Sequence, residues 1–179
     1  MRLLIPFLLF TILTFGQAKI YLITTTNGTE IKAKKYSPEE YFLRVKTLNN
    51  EIVKISYDEL NKIQYDITEK GEIRTITRKY VLISDDYGEL MGLMVSGKCN
   101  LYLGTEPFGS TPYINYFVLR EGEQFATMIG SKSVISKHNF RKTALEYFKD
   151  CPQIIEKIEK DFNRKKIMEL VEFYNKNCL

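Results

Sequence analysis

Residues 137–179 read KHNFRKTALEYFKDCPQIIEKIEKDFNRKKIMELVEFYNKNCL. In the first part, Phe140, Ala144, Leu145 and Phe148 recur at helical spacing, and Pro152 both stops that helix and suits the first turn of a second. The second helix places Ile154, Ile155, Ile158 and Phe162 on one stripe. After Asn163, a fair N-cap, a third carries Ile167, Leu170, Val171 and Tyr174 at i, i+3, i+4 and i+7. Helices this short are marginal alone, so their stripes must close on each other or on the rest of the chain, leaving Lys157, Lys160, Lys165 and Lys166 in water.

Cys151 opens the second helix and Cys178 follows the third. If the turn at Asp161–Asn163 makes these helices antiparallel, both cysteines reach the same end of the pair, because helices of roughly 15 and 21 Å differ by about one turn. A Cys151–Cys178 disulfide is therefore expected in an oxidising compartment, the alternative being two unpaired thiols. Cys99 alternates in register with Leu101 and Leu103 and reads as a small buried hydrophobe.

The compartment depends on the other end of the chain. Arg2 precedes an apolar run, Leu3–Phe15, that ends in Gly16-Gln17-Ala18, small residues at the −3 and −1 positions of a signal-peptidase site. Residues 1–18 are thus expected to be a cleaved export signal, since a run of about 13 residues is short of the about 20 that span a bilayer. The product would be periplasmic or extracellular, with no stable membrane insertion. Residues 19–136 hold 15 basic and 15 acidic residues and 137–179 hold 10 and 7, so the slight excess of positive charge lies on the helices. This is a solvated face, without the concentrated basic surface of a nucleic-acid reader.

Between signal and helices the chain turns to short β-branched and aromatic segments. Ile20–Thr26 and Thr29–Lys35 flank Asn27-Gly28, read as a two-residue hairpin turn with both residues at positive φ. The same Asn-Gly-Thr is formally a glycosylation acceptor, which the turn makes unnecessary. Tyr41–Leu48 and Glu51–Tyr57 form a second hairpin at Asn49-Asn50, and Lys62–Ile67 adds a fifth strand. Residues 19–68 are expected as a small SH3-like barrel or curled antiparallel sheet. Residues 69–136 follow as a meander: Ile73–Ser84, Glu89–Val95, Lys98–Leu103, Tyr113–Leu119 and Gln124–Ile129. Its core face is expected to draw on Val81, Ile83, Leu90, Leu93, Leu101, Leu103, Phe117 and Leu119. The fold class is α+β, a β-rich region over 19–136 followed by a three-helix region over 137–179.

Chemistry is sparse. His138 is the single histidine, so no histidine-based metal site is expected, and Cys99 with His138 is a poor nucleophile pair. Nucleophile elbows and phosphate-cradling glycine loops are missing, and Ser96-Gly97-Lys98 reads as a hairpin turn. The acidic groups Asp85-Asp86 with Glu89, and Glu121 with Glu123, lack calcium-loop spacing and read as solvated turns. No catalytic residue, metal ligand or cofactor is assigned. Twelve tyrosines and no tryptophan leave a tyrosine-lined surface as the one binding feature, sought at Thr105–Pro112 with Tyr113 and Tyr116.

Taken together, the export signal, the extended segment with Asn-Gly around Ile23–Ile31, the β-rich middle with Leu93–Leu103, Asp150-Cys151-Pro152, and Tyr174-Asn175 before Cys178 resemble uncharacterised exported proteins common in Bacteroidetes. In them Asn-Gly-Asp is the more usual turn, where this chain has Thr29. The resemblance implies an envelope or extracellular location and brings no catalytic residues. The expected function is a non-catalytic binding or interaction module meeting an envelope or extracellular partner. The alternative is a small envelope hydrolase using Asp85 and Asp86, which requires those carboxylates to converge in a pocket.

Overall fold

The computed structural model describes residues 19–106, 113–131, 140–161 and 166–178. The expected signal (1–18), Thr105–Pro112 beyond Glu106, His138, Phe162 and Asn163 lie outside them. Ten strands are followed by three helices: β1 (Tyr21–Thr25), β2 (Glu30–Pro38), β3 (Phe42–Thr47), β4 (Ile52–Ser56), β5 (Leu60–Glu69), β6 (Glu72–Ser84), β7 (Tyr87–Val95), β8 (Cys99–Glu106), β9 (Tyr113–Arg120), β10 (Thr127–Ser131), α1 (Phe140–Tyr147), α2 (Pro152–Asp161) and α3 (Ile167–Asn177). The α+β class and the succession of strands and helices are as the sequence patterns predict.

All ten strands form one antiparallel sheet in the order β10-β9-β8-β7-β6-β5-β1-β2-β3-β4, which does not close. After the meander β1 to β4 the chain returns to pair β5 with β1, Ile23 opposite Ile63. In a flat sheet β4 and β5 would stand about 19 Å apart, four strand spacings, yet the link from Ser56 to Leu60 reaches about 14 Å at most. The first five strands must therefore curl. Inside the curl lie Ile23, Ala33, Leu43, Val45, Ile55, Leu60, Ile63 and Leu90. Of the two packings expected for this region, it is the curled sheet that forms.

The other half curls as well. The amide of Ala126, one residue before β10, donates to the Leu82 carbonyl on β6 at 2.8 Å, four strands away in sheet order. The enclosed face carries Val81, Met91, Tyr102, Phe117 and Ala126, with Ile83, Leu93 and Leu119 against them. The opposite face carries Val95, Cys99, Leu101, Tyr116, Val118 and Ile129, and the helices cover it. The single core face expected for the meander is thus corrected. Leu101 and Leu103 belong under the helices, Val81, Ile83, Leu93, Phe117 and Leu119 inside the curl, and Leu90 in the first core. Both faces of these strands are buried, so apolar residues occupy both phases of the two-residue period and the pattern cannot rank them.

The hairpin at Asn27-Gly28 also differs. Only Gly28 has positive φ, at 86°. The Gly28 amide donates to the Thr25 carbonyl and the Thr25 amide to Thr29, which makes a three-residue loop. Asn27 Oδ1 accepts from the Thr25 hydroxyl at 2.6 Å and from the Thr29 amide at 3.0 Å, fixing the turn from within. The tight two-residue turn with both φ positive is Lys70-Gly71, at 54° and 85°, between β5 and β6.

The helices bury their predicted stripes: Phe140, Ala144 and Phe148; Ile154 and Ile158; Ile167, Leu170, Val171 and Tyr174. Cys151 and Cys178 are bridged, with Cα atoms 5.6 Å apart. Phe140 begins α1 with its ring directly on the Gly130 backbone of β10, where a Cβ would fall 1.6 Å from a ring carbon. Gly130→Ala should therefore drive the Phe140 ring off its seat and cost about 1–3 kcal/mol in urea unfolding. Phe140→Leu in the same chain should recover part of that loss, which a purely local effect of Gly130 on the strand would not allow.

Candidate functional site

Two places on the described surface gather polar chemistry. The first lies where the helices meet the sheet. Arg120, at the end of β9, reaches up so that Nη2 donates to the Tyr147 carbonyl and to Asp150 Oδ1, the latter at 2.8 Å. Its guanidinium lies over the Tyr147 and Tyr174 rings, 4.4 and 5.0 Å from the centroids. The Tyr174 hydroxyl donates to Asp150 Oδ2, and the Tyr147 hydroxyl to Glu123 Oε2 at 2.6 Å, which also accepts the Arg120 amide. Asn175 completes the seam. Its Nδ2 donates to the Cys99 carbonyl and its Oδ1 accepts the Cys99 amide, both at 2.8 Å. Tyr174-Asn175, Asp150 and Glu123 thereby gain structural roles that close α3 onto β8, Glu123 through its bonds from Tyr147 and the Arg120 amide.

Cys99 sits inside this seam, unbridged and buried. Burial pushes its thiol from an ordinary value of 9.0 up to about 12, opposed by the nearby Arg120 charge and a Tyr147 hydrogen bond. Such a thiol is no nucleophile near neutral pH. The Tyr147 and Tyr174 hydroxyls are pushed upward too, first by burial and then by bonding to Glu123 and Asp150. Below about pH 9 the Cys99 proton is held by folded and unfolded chains alike. Above it the unfolded chain ionises first, so stability is full below pH 9 and is lost progressively toward pH 12. Urea unfolding should show stability falling steadily from about pH 9, with a smaller fall in Cys99→Ala. Iodoacetamide should leave Cys99 unlabelled in the native protein at about pH 8.

The second place is a cleft of about 490 Å³ at the seam between the two curls. Pro38–Glu40 come from the β2–β3 turn, Tyr57 from the β4–β5 turn, Arg78 and Tyr80 from β6, Asp86–Leu90 from the β6–β7 turn and β7, and Thr105 from β8. Tyr57 and Tyr80 stack face to face, 3.9 Å between centroids and 3° between planes. The Tyr80 ring rests on Gly88, where a Cβ would approach it to 2.7 Å. Across the strand pair, a Cβ at Gly104 would stand 3.2 Å from Glu89 Oε2. Neither glycine has positive φ; Gly88 is required by the Tyr80 ring, while at Gly104 the nearest atom is a Phe117 ring carbon at 3.0 Å. Tyr87, 50% exposed and hydrogen-bonded to Glu89, also lines the cleft, and Tyr41, 75% exposed and hydrogen-bonded to Glu40, follows the lining residue Glu40 in the chain.

The residues singled out from sequence fall differently. Tyr116 is 8% exposed and packs beneath the helices, so it offers no face to a ligand. The side chain of Tyr113 lies outside the described residues. The reason is register: in β9, Tyr116 shares a face with Val118, which points to the helices. Asp85 and Asp86 are both exposed on the β6–β7 turn, and it is Asp86 that lines the cleft, beside Glu89. The aspartate pair itself does not converge in a pocket. The signal that could have found the cleft is the isolated glycine inside a strand pattern, at Gly88, which marks close approach by another group.

Among the described residues no group of three or more His, Cys, Asp or Glu side chains is placed to hold a metal ion, and no helix is long and apolar enough to cross a membrane. No protein-family model, curated protein or solved structure matches this chain.

Proposed function

We propose that this chain is an exported, non-catalytic binding module that holds its partner in the cleft between the two curls of the sheet. The observation that carries the reading is the cleft itself: stacked Tyr57 and Tyr80, seated by Gly88, with Glu40, Asp86 and Glu89 among the lining residues. A concave site with an apolar aromatic wall and a few placed polar groups is what ligand sites share. Export is supported by the signal-like residues 1–18 and by a bridged cysteine pair, which persists in oxidising compartments. The helices act as a stapled cover over the part of the sheet that carries Leu101, Tyr116 and Val118.

The test is capture from the envelope fraction of the native host, comparing the wild-type chain with a Glu40→Gln/Asp86→Asn/Tyr87→Ser variant, all three of whose replaced side chains are exposed. Partner recovery that depends on these three residues is expected. Equal recovery by the variant, or turnover of a captured molecule, would overturn the reading.

A further inference from the structure

We infer that the outer face of the first curl, where β2, β3 and β4 lie side by side, docks on an anionic lipid surface. The even charge count of residues 19–136 conceals a segregation. The register sets Lys35 directly opposite Lys46, and Arg44 directly opposite Lys54. All four side chains are exposed, on the face turned away from Leu43, Val45 and Ile55 in the core. Among the described residues only Glu39 forms an ion pair with any of them, 3.5 Å from Arg44 Nε. The other acids of these strands stand in the turns: Glu40 before β3, Glu51 before β4, and Asp58 and Glu59 before β5.

Like charges directly opposite one another destabilise a sheet, and an anionic partner turns that repulsion into attraction. Protection of a sheet edge accounts for Lys54 alone, since β4 is the edge strand while β2 and β3 are interior. Solubility is served equally by alternating signs, without the repulsion. A second observation gives the chemistry of the partner. Ile52 stands opposite Lys46, on the same face as Lys54, and is 58% exposed. Lys54 itself lies over the Phe42 ring, 4.7 Å from its centroid, so apolar and cationic groups share one surface. A soluble polyanion would engage the cations and leave Ile52 in water. A bilayer surface engages both: lipid phosphates meet the cations while Ile52 enters the headgroup boundary. The contact is peripheral, made by the side chains of one face, and it does not rest on the cleft.

The experiment is co-sedimentation of residues 19–179 with lipid vesicles, the apolar leader being left off because it would bind lipid by itself. Vesicles of phosphatidylcholine with about 30% phosphatidylglycerol should bind at least about tenfold more tightly than phosphatidylcholine alone, and at least about tenfold less tightly at about 0.5 M salt than at about 0.05 M. Each lysine at such a surface is worth about fivefold, so Lys46→Gln/Lys54→Gln should weaken binding about 25-fold. Lys160→Gln/Lys176→Gln, an equal loss of charge at exposed positions of α2 and α3, should change it by less than about twofold. Ile52→Ser should weaken vesicle binding at least about threefold and leave binding to soluble heparin unchanged. No preference for the anionic vesicles, or equal losses in the two double variants, overturns the inference. So does vesicle binding by Ile52→Ser at the wild-type level, which would leave a charge-only surface suited to a soluble polyanion. Lys46→Gln/Lys54→Gln should also unfold at no lower urea than wild-type, which separates lost binding from lost folding; a lower midpoint would deny the repulsion. Vesicle binding and cleft-dependent capture can each fail without the other.

Discussion

Reducing the Cys151–Cys178 bridge, or replacing either cysteine by serine, is expected to lower stability by about 3–4 kcal/mol, or about 6–16 °C in Tm. The two cysteines are 27 residues apart in sequence, and an unfolded chain without the cross-link gains the entropy of opening that loop. The bridge also joins the start of α2 to the residue after α3, so its loss frees the end of the helix that Asn175 and Tyr174 hold against the sheet. Thermal unfolding with and without reductant checks this. Wild-type should respond, Cys151→Ser and Cys178→Ser should already sit at the lower value, and Cys99→Ala should keep the response because Cys99 is unbridged and buried. A reductant response that disappears in Cys99→Ala would contradict the pairing.

Arg120→Ala is expected to cost about 2–4 kcal/mol. The ion pair with Asp150 contributes modestly, since the two side chains are 23% and 44% exposed. The larger part comes from what one guanidinium does at once: it caps the Tyr147 carbonyl at the end of α1, lies over two tyrosine rings, and orients the carboxylate that receives the Tyr174 hydroxyl. Removing it leaves the Tyr147 carbonyl and Tyr174-Asp150 in a partly buried seam without their cation. Arg120→Lys should recover little, because an ammonium cannot reach both acceptors from above two rings. A double-mutant cycle with Tyr174→Phe should show a coupling of about 1 kcal/mol. Strict additivity would mean that the network does not act as a unit.

How far the chain could be read locally follows from what each feature depends on. The α1, α2 and α3 stripes, the start of α2 at Pro152 and the meeting of Cys151 with Cys178 depend on residues within one or two helices, and the structure has them, although α1 itself ends at Tyr147, short of Pro152. The strands are legible for the same reason, apart from up to three residues at their ends. At Asn27-Gly28 the turn differs from the two-residue expectation because the side chain of Asn27 bonds Thr25 and Thr29, a local alternative to positive φ that the dipeptide alone does not reveal. The Tyr113 and Tyr116 surface failed at Tyr116 because exposure depends on which face the helices choose to cover.

By itself the sequence determined the α+β class, the order of strands and helices and the cysteine pair that staples them. Those follow from periodicity, turn chemistry and helix length, which act over a few residues. Only the tertiary structure decided that β5 returns to β1, that each half of the sheet curls on its own core, and that Tyr57, Tyr80, Asp86, Glu89 and Glu40 meet in one cleft. The physical reason is that these features depend on pairings between strands far apart in the chain, selected by the burial of Ile23, Leu43, Ile63 and Leu90 on one side and of Met91, Tyr102 and Phe117 on the other. A period of two residues says that a strand has two faces, and only the closed fold says what each face meets.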